Sequence, residues 1–211
     1  YSLEGQRYEI RPHTTVGCIL GQENDVSLHA AGNSYEADNL LLIMDGGAER
    51  TIFFSNLDTR WIDNDYNDAV SQPIAPEQGF IVRRRLPSGI NLYPQGALLV
   101  GKNQVPVIQG YNLLSTIKSN SKITLDDTGL YTGDKATGMA PGLNPLESDN
   151  LFGINPDGST SLYFYLIYNG TEGWFDAAIT PSGDKQIAPG SAFYINRRDP
   201  NPPFVWDIPS E

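Results

Sequence analysis

The chain has one cysteine, Cys18, and two histidines, His13 and His29, in 211 residues. A single cysteine excludes an intrachain disulfide, and its apolar neighbours from Val16 to Leu20 predict a small buried hydrophobe. No Gly-x-Ser-x-Gly, P-loop or His-Glu-x-x-His pattern is present, so the chain reads as a non-enzyme. Lysine is scarce, with five residues, and 14 basic against 25 acidic groups leave a net charge of −11. Neutralising phosphates needs a basic surface, so nucleic acid is excluded as a partner. No apolar run approaches the roughly 20 residues of a spanning helix, so no membrane span is expected. The first residue is Tyr1 rather than Met, which reads as a mature end left by removal of a signal peptide and predicts export. Both ends are expected to be packed against something.

What the chain has is turn chemistry. Its 21 glycines and 15 prolines are scattered, which cuts it into short segments and argues against long helices. Hydrophobic residues make up 39 %, enough for a core.

The most informative feature is an internal repeat. Residues 56–85 align with residues 169–198 without gaps, and nine of those 30 positions are identical. They include Trp61/Trp174, Asp63/Asp176, Pro76/Pro189, Phe80/Phe193, Arg84/Arg197 and Arg85/Arg198. Upstream, Asp38-Asn39-Leu40 matches Asp149-Asn150-Leu151. Further upstream, Val26-Ser27-Leu28 is aligned with Ile123-Thr124-Leu125.

Within each copy, aromatic and β-branched runs at 52–54, 80–82, 162–168 and 193–195 read as strands bounded by turns such as Asn155-Pro156-Asp157-Gly158. Residues 97–100 and 105–108 flank Gly101-Lys102-Asn103-Gln104 as a hairpin. The expectation is an all-β protein of two tandem homologous sandwich- or barrel-like units, residues 1–96 and 97–211. Trp61, Trp174, Phe80, Phe193, Pro76 and Pro189 are the expected repeat core.

The upstream alignment places residues 1–11 opposite residues 98–108. If the copies meet head to tail, each chain then ends with one unmet surface at either end, which builds open or ring assemblies by strand addition. Tyr8, Ile10 and Arg11 at one end and Phe204, Val205 and Trp206 at the other are the candidate assembly interface. The competing arrangement is a closed pseudo-twofold monomer in which the copies face each other.

Asp63, Asp65 and Asn67 are the calcium candidate, as hard oxygen ligands at alternating positions. Ile74 stands where a closing Glu would sit, so the loop is not an EF-hand, and a solvated acidic turn is the simpler reading. No other cofactor is expected. Trp61 and Trp174 invite a sugar platform, with Trp206 as an alternative, yet retention at equivalent positions is explained more simply by packing. The paired arginines 84–85 and 197–198 are expected to meet Asp38 and Asp149. Asn169-Gly170-Thr171 is a glycosylation sequon or a tight turn.

Asp-Asn-Leu, Trp-x-Asp, then Ile-Ala-Pro leading to Phe-x-(Val/Ile)-x-Arg-Arg together resemble a family of exported, multi-paralogue, β-rich bacterial repeat proteins. That resemblance implies export and a β-rich repeat, and it carries no catalytic residues. The leading expectation is a non-enzymatic extracellular or cell-surface structural protein that assembles with copies of itself into a filament or layer. A carbohydrate-binding surface module and a viral capsid or appendage protein are the alternatives.

Overall fold

A computed structural model describes residues 13–44, 47–75, 78–87, 89–90, 92, 103–115, 122–155, 157–188 and 191–209. The first half contributes β1 (Thr14–Thr15), α1 (Val16–Leu20), β2 (Asn39–Ile43), β3 (Glu49–Ser55), β4 (Arg60–Asp63), β5 (Pro73–Ile74) and β6 (Phe80–Arg83). The second contributes β7 (Asn103–Val107), β8 (Gly110–Ser115), β9 (Ile123–Thr124), β10 (Asn150–Ile154), β11 (Thr160–Tyr168) and β12 (Thr171–Asp176). It ends with β13 (Gln186–Ile187), β14 (Ala192–Arg197) and β15 (Phe204–Ile208). Among the described residues, the protein is all-β apart from α1 and one 3-10 turn at Asp126–Thr128. Among the described residues, no helix is long and apolar enough to cross a membrane.

Two antiparallel sheets dominate, in the orders β4-β3-β2-β6 and β12-β11-β10-β14-β8. Each places alternate residues on a core face, as period-two patterning requires. Leu40, Leu42, Ile52, Phe54 and Trp61 pack together under the first sheet. Leu151, Trp174, Phe193 and Ile195 do so under the second, where Val105, Val107, Phe204 and Trp206 join them. Each fully buried Leu, Ile or Phe contributes about 1.5–3 kcal/mol. The same edge-on aromatic pair recurs: Phe54 on Trp61 at 5.3 Å and Tyr165 on Trp174 at 5.6 Å. Opposite faces carry smaller clusters at matching places, Phe53 with Ile62 and Phe164 with Phe175.

Short flanking strands correct the upstream alignment. Thr14 pairs with Ile74 as Ile123 pairs with Ile187. Val16 N–H then donates to Gln72 O at 3.0 Å, as Leu125 N–H donates to Lys185 O at 2.9 Å. The counterpart of Ile123-Thr124 is therefore Thr14-Thr15. Val26, Ser27 and Leu28 form no strand; Ser27 closes a turn onto Asn24 O at 2.9 Å. The upstream phase that set residues 1–11 opposite 98–108 loses its basis.

The helix α1 was not expected. Thr15 caps it, its Oγ1 accepting Cys18 N–H at 3.3 Å, and Val16 and Leu20 turn inward four residues apart. That rotation leaves Cys18 on the outer side, exposed rather than buried.

The halves meet where Gly79 crosses β8 and β14. Gly79 N–H donates to Leu113 O at 3.0 Å, and a Cβ at Gly79 would lie 2.9 Å from Ala192 Cβ. A cleft of about 410 Å³ follows this seam, between Ile43, Met44 and Gln78 on one side and Val105, Ile108 and Tyr111 on the other.

Candidate functional site

Asp38 with Arg84 and Arg85, and Asp149 with Arg197 and Arg198, form one device made twice. Asp38 is sealed from solvent, with Oδ2 accepting His29 N–H at 2.7 Å and Oδ1 accepting Arg85 N–H at 2.6 Å. Asp149 does the same with Ala140 N–H at 2.7 Å and Arg198 N–H at 2.8 Å. Arg84 Nη1 lies 3.2 Å from Asp38 Oδ2, and Arg197 Nη1 binds Asp149 Oδ2. The second arginines continue the match: Nε of Arg85 donates to Ala37 O and Nε of Arg198 to Ser148 O. Each also donates from Nη2, at 3.1 Å, to the Oδ1 of Asn39 or Asn150. The arginine pairs thus meet Asp38 and Asp149 inside the chain, holding the loop before β2 or β10 to the end of β6 or β14.

In the second half the clamp reaches further. Arg197 Nε donates to Pro202 O at 2.8 Å, and its guanidinium carbon sits 4.9 Å from the Phe204 ring centroid. Arg197 therefore fixes the start of β15. Here Phe204, Trp206 and Ile208 point into the core, and Trp206 Nε1 donates to Thr128 O at 2.8 Å. Val205 points out and is 53 % exposed.

Pro106 decides how β15 hydrogen-bonds. Val205 stands opposite Pro106, which has no N–H, so that pair cannot exchange main-chain bonds. The ladder to β7 must run through Phe204 with Val107 and Trp206 with Val105. The main-chain groups of Val205 and Asp207 consequently face away from β7. Among the described residues, β7 is the one strand that pairs with β15. On the far side of β7, proline removes a donor, which blunts that edge. A proline inside Val105-Pro106-Val107 is the sequence-level sign of such an edge strand. Tyr8, Ile10 and Arg11 lie outside the described residues.

Asp63 and Asp176 each cap one turn. Asp63 Oδ1 accepts the N–H groups of Asp65 at 3.0 Å and Asn67 at 2.9 Å, and Asp176 Oδ1 accepts those of Ala178 and Thr180, both at 2.9 Å. Tyr66 and Ile179 take φ of 63° and 60° at the same point of the turn. Asp63 Oδ2 carries Arg50 Nη2 at 2.7 Å. Burial works against ionisation of Asp63, but the Arg50 guanidinium and the two amides outweigh it and hold the carboxyl below its usual range. A calcium ion at Asp63, Asp65 and Asn67 would have to displace Arg50, a partner the sequence did not indicate. Among the described residues, no group of three or more His, Cys, Asp or Glu side chains gathers where a metal could sit.

All three tryptophans are buried, so none offers a face for sugar stacking. Phe193 is buried and Phe80 half-buried on the core face, while Pro76 and Pro189 lie outside the described residues. Residues 97–102, which hold the first strand of the expected hairpin, also lie outside them. Asn169 and Gly170, with φ of 48° and 78°, make the two-residue turn between β11 and β12. Cys18 Sγ accepts the Thr15 hydroxyl at 3.3 Å, and this bond holds the exposed thiol below its ordinary range. No family model, curated protein or solved structure matches the chain.

Proposed function

We propose that this chain is a non-enzymatic structural protein of the cell exterior, built of two tandem homologous β units, residues 1–96 and 97–211. Copies join through their terminal segments into a filament or layer. The observation that carries this reading is the set of outward main-chain groups of Val205 and Asp207 on a strand locked from behind. Phe204, Trp206 and Arg197 fix β15 in place, so strand addition there would cost little ordering entropy. Phe204 and Trp206 would act from within, shaping the strand, while Val205 makes the outer contact. Tyr8, Ile10 and Arg11, which the corrected alignment no longer sets opposite β7, are the strand that the next copy would supply. The net charge of −11 keeps free chains apart at low salt.

Val205→Pro tests this directly. It removes the outward donor at 205 and leaves the bonds through Phe204 and Trp206 in place. By sedimentation and negative-stain microscopy, the full chain should assemble, while Val205→Pro and a chain lacking residues 1–11 should stay dispersed with unchanged circular dichroism. Equal assembly by all three would overturn the proposal, as would a full chain that stays dispersed at physiological salt.

A further inference from the structure

Five positions differ together at one place in the two halves, and the strand register fixes their correspondence. Leu42 pairs with Phe80 and Arg50, as Gly153 pairs with Phe193 and Ser161. Met44 N–H closes its turn on Ala48 O, as Asn155 N–H does on Ser159 O. Gln78 and Ser191 each donate N–H at 3.0 Å to the alanine three residues earlier, Ala75 and Ala188. Gln72 and Lys185 are the matched acceptors for Val16 and Leu125. Leu42, Met44, Arg50, Gln72 and Gln78 thus stand where the second half has Gly153, Asn155, Ser161, Lys185 and Ser191.

In the first half, Leu42, Arg50 and Gln72 occupy the inner part of this place, and Met44 and Gln78 border the cleft at the seam. Leu42 is fully buried, Arg50 spans from Gln72 to Asp63, and Gln78 Nε2 donates to Ile43 O at 3.0 Å. In the second half, the same place is a cavity of about 290 Å³. Its floor is apolar, made by Leu125, Leu151 and Phe193, and the Tyr163 ring forms a wall, with Cε2 3.7 Å from where a Gly153 Cβ would be. Asn155, Ser161, Ser191 and Lys185 stand around the opening. Arg50 is neutralised by Asp63, whereas Lys185 makes no ion pair among the described residues. The second half therefore has a separate apolar hollow, with a cation at its mouth that makes no ion pair among the described residues.

We propose that this cavity binds a small monocarboxylic acid. The apolar body lies on Leu125, Leu151 and Phe193, and the carboxylate meets Lys185 and the hydroxyls of Ser161 and Ser191. Among the described residues of the lining, Lys185 is the one charged side chain, which selects an anion over a cation. The volume falls just below the roughly 300–1,000 Å³ of small-molecule pockets, which favours hexanoate or phenylacetate over a long-chain acid.

Titration calorimetry of the full chain with hexanoate, phenylacetate and hexylamine tests the proposal. The acids should bind with Kd on the order of 0.1–1 mM, as suits so few atoms, and hexylamine at least about tenfold more weakly. Lys185→Gln should weaken the acids by roughly fivefold. Gly153→Leu and Ser191→Gln, which restore the side chains of the first half, should abolish binding with circular dichroism unchanged. If Gly153→Leu fails to fold, Ser191→Gln decides. The proposal falls if neither acid binds the unaltered chain, if hexylamine binds equally well, or if binding survives Ser191→Gln.

Discussion

Arg197 donates from Nη1 to Oδ2 of Asp149, and neither side chain touches solvent. Removing one partner of such a pair strands the other charge in the interior, which costs about 3–5 kcal/mol. Asp149→Asn should therefore lower the unfolding free energy by about that much in urea titration. Asp38→Asn should cost less, because Arg84 is 18 % exposed and water can compensate it. Equal losses would mean that the amide contacts, shared by both aspartates, dominate the clamp.

Asp63 titrates below its ordinary value of about 3.9 because Arg50 and two amides favour the carboxylate. A depressed folded pKa gives stability that is present above the unfolded pKa and lost as pH falls through the folded one. Asp63→Asn keeps an acceptor for the amides and loses the charge. It should cost about 1 kcal/mol at pH 7, with the deficit closing as pH falls below about 4. A deficit constant from pH 7 to pH 2 would assign the whole effect to shape.

Ile179 is a β-branched residue at φ 60°, a region its side chain disfavours. It is 55 % exposed, so its replacement sacrifices little packing. Ile179→Gly should raise stability by about 0.5–1 kcal/mol, read as an upward shift of Tm. A fall in Tm would show that the side chain makes a stabilising contact.

The Thr15 hydroxyl stabilises the Cys18 thiolate. Native protein should react with iodoacetamide through Cys18, and Thr15→Val should slow that reaction near pH 7 by raising the thiol pKa. The difference should vanish at pH 10, where both thiols are ionised. An unchanged rate at pH 7 would mean that the bond does not persist in solution.

Assembly at β15 brings acidic chains together, so the proposed polymer should form more readily at 0.15 M salt than at 0.01 M, where the Debye length grows from about 8 to about 30 Å. Light scattering against ionic strength reads this. Assembly that weakens with salt would point to opposite charges as the driving contact instead.

Features whose residues lie close in sequence, or recur with a fixed spacing, were legible. Trp61 and Trp174, Phe80 and Phe193, and the arginine pairs mark the strands, and the Asp-Asn-Leu segments point to the partners of those arginines. Less legible were features set by long-range backbone bonds. Two residues such as Thr14-Thr15 carry no alternation, so Val26 to Leu28, which look more apolar, drew the alignment to the wrong place. The tertiary bonds of Val16 to Gln72 and Leu125 to Lys185 decide it instead. Arg50 was passed over because its meeting with Asp63 depends on β3 lying beside β4. The run around Cys18 is apolar in composition, but as a helical turn it buries Val16 and Leu20 and leaves Cys18 between them on the outer side.

Gly79 and Ala192 occupy corresponding places in the two repeats, and they abut. A Cβ at position 79 would lie 2.9 Å from that of Ala192, too close for two methyl groups, so the seam admits alanine on only one of its two sides. The sequence equivalence of the two positions is thus broken where they touch: the join between the halves requires that they differ.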